Sequence, residues 1–150
     1  MKFKNQILRT HPTVIVEVGP WREEIDEALV PLIREIWKAG IETFMSCQEM
    51  DPGIAWIEFP SVEELFRFLN LVTRYEPGVD TLYNRINHQR TGPMSAPVWE
   101  YQLNLRDIFE EQEEQVIDGL VCFEGMASVY FPTTDIPVLL QRLQAFNNGA

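Results

Sequence analysis

The stretches Ile57–Glu63 (IEFPSVE) and Val129–Asp135 (VYFPTTD) carry the strongest fold signal in the chain, and the second follows the first by 72 positions. Both predict an apolar strand, a proline that ends it, a hydroxyl residue suited to cap a helix, and an acid for the first helical turn. Two interpretations explain the match. Either this pattern is a common passage from strand to helix, or the domain contains a pseudo-twofold repeat.

Each of the two stretches also ends a predicted β-hairpin and precedes a predicted helix. The first hairpin joins a strand at 41–47 to one at 54–59 through the residues between them. The second covers 120–131 and turns at Glu124-Gly125. Two such units predict an antiparallel sheet with helices packed on one face.

A further strand and helix precede the first hairpin. The β-branched run Thr13–Val18 predicts a strand that ends at Gly19-Pro20. Apolar residues then recur at helical spacing over 25–37, and Gly40 is placed to end that helix. Pro31 either kinks this helix or marks the first turn of a helix that starts later.

The second half of the chain contains one clear strand between two irregular stretches. Strict alternation of apolar and polar residues over 99–106 predicts a half-buried antiparallel strand. Residues 76–97, rich in glycine and proline, predict a long loop. The acidic stretch 107–118 suits a short helix and a solvated turn equally. We therefore predict a single α+β domain over residues 1–150, with ferredoxin-like topology as the nearest named architecture.

The periodic apolar faces of these elements predict one shared core. Apolar residues make up 45% of the chain, enough for a folded domain. The predicted core comprises Leu29, Leu32, Ile33, Ile36, Trp37, Ile57, Phe59, Leu65, Leu69, Trp99, Tyr101, Leu103, Val129, Phe131, Leu139 and Leu143.

Charge and composition argue against several functional classes. The chain has 23 acidic residues against 12 lysines and arginines, a formal net charge of −11, which would repel nucleic acid and anionic lipid. No apolar run approaches the roughly 20 residues that cross a bilayer, and we find no secretion signal. Two cysteines, Cys47 and Cys122, form neither a disulfide framework nor a zinc motif. A cytoplasmic protein with reduced thiols, and without nucleic-acid or membrane partners, is the expectation.

The segment from Trp37 to Gln48 has the pattern W-x-x-G-I-x-T-x-x-S-C-Q. It resembles a segment of small uncharacterised bacterial and phage domains that have no assigned activity. Over residues 26–59 the resemblance implies a helix, a strand, a Ser-Cys turn and a hairpin. It implies no active-site residues.

Two groups of residues are candidates for a binding site. The first lies where the strand at 41–47 is predicted to become a loop, a position that exposes polar groups at the end of a sheet. The second lies in 81–99, which contains no aspartate or glutamate, so its basic residues could hold an anionic or polar ligand. The candidates are Ser46, Cys47, Gln48 and Glu49 in the first group, and Arg85, His88 and Arg90 in the second.

The leading hypothesis from these residues is a non-catalytic small-molecule-binding or protein-interaction module, with homodimerisation as a further hypothesis. The alternative is a small enzyme in which Cys47 is the nucleophile, His88 the base, and Arg85 or Arg90 the anchor of an anionic substrate. Cys47 also has a purely structural explanation, because free cysteines are often core residues.

No metal and no cofactor is predicted, since the chain lacks the common phosphate, dinucleotide and zinc-protease motifs. A metal site would arise only if the fold happened to collect ligands that are far apart in the sequence. The residues available for one are His11, Cys47, Glu49, His88, Cys122 and Glu124.

Overall fold

The structure is a computed structural model, and it confirms the predicted α+β class. It describes residues 11–74, 82–86, 98–107, 116–117, 120–121 and 123–149. None of the helices in these ranges is long and apolar enough to cross a bilayer.

The first element of the described chain is a hairpin of β1 (Thr13–Val18) and β2 (Trp21–Asp26), paired antiparallel along their whole length. Gly19 adopts a φ of +56°, a left-handed conformation that glycine reaches without a steric penalty. The strand at Thr13–Val18 is therefore confirmed, and the turn at Gly19-Pro20 returns the chain along a second strand.

The predicted first helix is wrong at its N-terminal end, because Ile25 and Asp26 belong to β2. Pairing with β1 satisfies their backbone groups and overrides the helical spacing of the side chains. A 3₁₀ helix (Glu27–Leu29) leads into α1 (Val30–Lys38), with Pro31 in the first turn, where a missing N–H costs no hydrogen bond. The later helix start is thus confirmed, and Gly40 follows the helix end with a φ of +78°.

A four-stranded antiparallel sheet forms the centre of the fold. Its strands, β3 (Met45–Asp51), β4 (Ile54–Phe59), β5 (Glu100–Asp107) and β8 (Phe123–Pro132), are ordered β3-β4-β8-β5. The short β6 (Val116–Ile117) and β7 (Leu120–Val121) pair with each other. The helices are α2 (Val62–Val72) after β4, the short α3 (Leu82–Ile86), and α4 (Ile136–Asn147), which follows β8 through a 3₁₀ helix at Thr133–Asp135.

The register of the two central strands supports the pseudo-twofold repeat. Ile57 of β4 lies directly opposite Val129 of β8, and these residues also occupy equivalent positions in the two matching sequence stretches. Equivalent residues face each other in this way when two antiparallel strands are related by a twofold axis. The helix starts differ: the Ser61 hydroxyl accepts a hydrogen bond from the Glu64 amide, whereas the Thr133 side chain makes no such cap.

The predicted turn at Glu124-Gly125 is wrong, because β8 continues through both residues. Its partner is the alternating strand β5, which pairs with it over eight positions and places Leu105 opposite Gly125. For the strands of the main sheet with α2 and α4, the described order is therefore hairpin, helix, strand pair, helix, or ββαββα, whereas a ferredoxin-like chain runs βαββαβ. Within the predicted loop at 76–97, α3 is helical; the remainder of that loop and residues 108–115 lie outside the described residues.

Most of the predicted core is buried in one cluster between the helices and one face of the sheet. Leu69 is half-buried against that cluster. Tyr101 and Leu103 were predicted wrongly, since 38% and 60% of their surfaces are exposed. They lie on the edge strand β5, while α2 packs over β4 and β8, which leaves an apolar cleft of about 300 Å³ between α2 and β5.

The difference between the central and edge strands predicts unequal costs of truncation. Ile57→Ala removes a side chain with no exposed surface and should lower the free energy of unfolding by about 2 to 5 kcal/mol. Leu103→Ala is the matched control on β5 and should cost about 1 kcal/mol or less. Urea denaturation of both variants tests this, and equal losses would contradict the described layering.

Candidate functional site

The segment with the pattern W-x-x-G-I-x-T positions the strand that carries the candidate site. The indole N–H of Trp37 donates a 2.9 Å hydrogen bond to the Thr43 hydroxyl, across the turn that Gly40 allows. Ile41 is fully buried in the core, so it fixes the connection between α1 and β3. The role of these four residues, Trp37, Gly40, Ile41 and Thr43, is therefore structural: their contacts position β3 at the edge of the main sheet.

Ser46, Cys47, Gln48 and Glu49 lie within β3, so the implied Ser-Cys turn is wrong. The predicted strand at 41–47 begins only at Met45, and the predicted loop at 48–53 is reduced to the turn after Asp51, which closes the predicted hairpin. The strand is nevertheless irregular there. From Cys47 to Asp51 it advances four positions while its partner β4 advances two, from Trp56 to Ile54. Bulges of this kind redirect side chains and occur often beside functional sites.

The fold collects three potential ligands that are far apart in the sequence. His11 precedes β1, Asp26 ends β2, and Cys47 lies in β3; one donor atom from each lies within 4.8 Å of the other two. Asp26 and Cys47 each expose only 2% of their surface, and His11 is half-buried. We call these residues, together with Gln48, the β3-edge site.

Gln48 holds the site together through both its backbone and its side chain. Its amide N–H donates to Oδ2 of Asp26 at 2.9 Å, and its side-chain Oε1 accepts from the Ala28 amide at 2.9 Å. Asp26 stands at the N-cap of the 3₁₀ helix but makes no cap bond, so Gln48 supplies that acceptor instead. The other end of the Gln48 side chain, Nε2, lies 3.5 Å from Nδ1 of His11.

The surroundings of Cys47 favour the protonated thiol. Burial raises the pKa of this thiol, and the charge of Asp26 and its hydrogen bond raise it further, while the backbone N–H of Glu49 acts in the opposite direction. A nucleophilic cysteine needs neighbours that stabilise its thiolate; the described neighbours are the His11 imidazole and the Asp26 carboxylate, and the carboxylate opposes thiolate formation. Cys47 also packs with Trp56, Met45, Met50 and Tyr130 on the sheet face away from the helices.

The structure places Arg85 in a different part of the fold. Its guanidinium makes two hydrogen bonds to the Asp135 carboxylate, at 2.5 and 2.7 Å, and the Trp99 indole donates to the same carboxylate at 2.9 Å. Trp99 stacks on Phe131, on the face of the sheet that the helices cover. Arg85 therefore joins α3 to the start of α4 and is not brought to Cys47 by these contacts.

Several predicted site residues stay apart from the β3-edge site. Ser46 is half-buried and pairs with Ile57, and Glu49 is exposed. His88, Arg90 and Cys122 lie outside the described residues, and so does the side chain of Glu124.

The sequence analysis missed Asp26, because it placed this residue in the first turn of a helix. A signal was present in the chain. If Gly19-Pro20 turns a hairpin, Asp26 pairs with Thr13, and a carboxylate beside the apolar Ile25 at the end of that strand then becomes a candidate ligand.

Comparison with known proteins gives one distant relative and no function. No family model matches the chain, and no solved structure matches it. The chain is 29% identical over 124 residues to "Uncharacterized protein R428" of Acanthamoeba polyphaga mimivirus, a match that covers 81% of this chain. The matched region spans 61% of that relative's length.

We predict that Cys47 reacts slowly with a chromogenic disulfide in the folded protein. In a Cys122→Ser background treated with a chelator, the apparent pKa of the thiol should lie above the ordinary value of about 8.5. The same protein unfolded in guanidinium chloride is the control and should show the ordinary value. Asp26→Asn should lower the folded-state pKa, because the carboxylate raises it. A folded thiol that titrates below about 7.5 and reacts faster than the unfolded one would contradict this assignment and favour a nucleophile.

Proposed function

We propose that this chain is a non-catalytic binding module whose binding site is the β3-edge site. The observation that carries the proposal is the convergence of an imidazole, a carboxylate and a thiol, from three separate segments, within 4.8 Å of one another. Burial of polar groups costs free energy unless they find partners. Here the Gln48 amide N–H donates a hydrogen bond to Asp26 and orients its carboxylate, which supports a role for the cluster beyond filling the core.

The chemistry of the site favours a small polar or cationic ligand. Asp26 contributes a negative charge, and no lysine or arginine side chain is recorded as a partner of these four residues in the described chain. An anionic ligand, as the basic residues near 85–90 suggested, depends on His88 and Arg90. The guanidinium of Arg85 already binds the Asp135 carboxylate.

The cysteine-enzyme alternative has weaker support. The described imidazole near Cys47 belongs to His11, so His88 is not needed to explain the cluster. A thiol that exposes 2% of its surface, next to a carboxylate that raises its pKa, is poorly suited to attack a substrate. Binding is therefore the function that the geometry supports better.

A thermal-shift screen of small polar ligands and inorganic cations tests the binding function. A ligand present at 100 times its dissociation constant should add roughly 2.7 kcal/mol to the wild-type stability. The same ligand should have little effect on Asp26→Asn, which keeps the shape of the side chain but removes its charge. Glu63→Gln is the matched control, since Glu63 is an exposed carboxylate in the first turn of α2, and it should respond like the wild type. A panel that stabilises none of these proteins, or all three equally, would contradict the proposal.

A further inference from the structure

We propose that the ligand of the β3-edge site is a divalent transition-metal ion of the zinc type, bound by His11, Asp26 and Cys47; this inference rests on the proposed binding function. The three side chains would supply one nitrogen, one oxygen and one sulfur donor. Nothing in the local sequence spacing shows such a site, because Asp26 follows His11 by 15 positions and Cys47 follows Asp26 by 21.

The mixture of donors selects the class of ion. Calcium and magnesium take oxygen ligands, so a cysteine sulfur in the site disfavours both. Zinc and its neighbours in the first transition row accept thiolate, imidazole and carboxylate in one coordination shell. The donor set of the β3-edge site therefore matches zinc better than either hard cation.

The spacing of the donors is compatible with a tetrahedral ion after a small adjustment. Metal–ligand bonds of 2.0 to 2.3 Å place neighbouring donors of a tetrahedron about 3.3 to 3.8 Å apart. The largest separation between the three donors is at most 4.8 Å, so closure requires side-chain movements on the order of 1 Å. Three protein ligands would leave the fourth position to water or to a second ligand.

Charge balance favours the same occupant. Once the Cys47 thiol loses its proton, the thiolate and the Asp26 carboxylate carry two negative charges at this buried position, which are costly to bury without a compensating cation. A divalent ion neutralises both. The proton of the thiol leaves to solvent when the sulfur–metal bond forms, and no other bond changes.

Gln48 is placed to orient the proposed ligands without binding the ion itself. Its amide N–H donates a hydrogen bond to Oδ2 of Asp26, which leaves the other carboxylate oxygen, Oδ1, to bind an ion. Hydrogen bonds to a ligating carboxylate orient it and tune its affinity for the metal. The 3.5 Å approach of Gln48 Nε2 to Nδ1 of His11 is at the limit of a hydrogen bond, so the imidazole is not held away from the site.

Cobalt(II) chloride provides the test, because it binds zinc sites and reports its ligands by absorption. Titration into chelator-treated wild-type protein should produce a thiolate-to-cobalt charge-transfer band at one equivalent, and zinc chloride should abolish it. Cys122→Ser should give the same band, whereas Cys47→Ser should give none. His11→Asn and Asp26→Asn should bind cobalt more weakly, by more than the roughly 10- to 100-fold that outer-shell changes cost. Circular dichroism establishes that each variant is folded.

The spectra of the wild type and of the two cysteine variants can each overturn the inference. Absence of the band, or a band that persists in Cys47→Ser and disappears in Cys122→Ser, would exclude this metal site. If the band is absent while another polar ligand stabilises the wild type but not Asp26→Asn, only the metal assignment fails. If the thiol instead proves exposed and fast-reacting, the binding function itself fails.

Discussion

The candidate site depends on the hydrogen bond from the Gln48 amide to the Asp26 carboxylate. The β1–β2 hairpin and the four-stranded sheet are separate sheets, and no ladder of backbone hydrogen bonds joins them within the described residues. This contact, with the return bond from the Ala28 amide to the Gln48 side chain, joins the end of the hairpin to β3. His11 and Asp26 reach Cys47 because the hairpin is held at that edge.

The free energy expected for this hydrogen bond supports its central role. Hydrogen bonds to charged groups contribute about 1.5 to 3 kcal/mol, roughly twice the value for neutral pairs. Asp26 exposes 2% of its surface, so water does not satisfy its carboxylate and the protein must do so. The bulge in β3 makes this possible, because residues between Cys47 and Asp51 leave the regular pairing with β4 and one amide turns toward Asp26.

Local sequence patterns correctly predicted the elements in which the local preference of the residues and the tertiary strand pairing favour the same secondary structure. The strand, proline and helix near Ile57 and Val129 were recognisable, as was the alternating strand β5. Prediction failed where pairing overrode local preference: Ile25 and Asp26, at the predicted start of the first helix, belong to β2, and Gly125 continues a strand. Exposure of Leu103 follows from strand order, which no local pattern encodes.

The site was predictable only in part, for a related reason. Cys47 and Gln48 stood out as polar groups near a strand end, and His11 was recognised only as a conditional ligand. Asp26 could not be added while it was assigned to the first turn of a helix. Their convergence arises from the hairpin turn at Gly19 and the packing of the 3₁₀ helix beside β3, which are contacts between distant parts of the chain.

Hydrogen exchange at the Gln48 amide tests the central claim most directly. If this N–H is bound to Asp26, NMR should find it protected in the wild type and much less so in Asp26→Ala. The Ile57 amide, in the central strand β4, should stay protected in both proteins and so serves as the internal reference. A Gln48 amide that exchanges in the wild type at the rate of an unfolded chain would contradict the account of how the site is assembled.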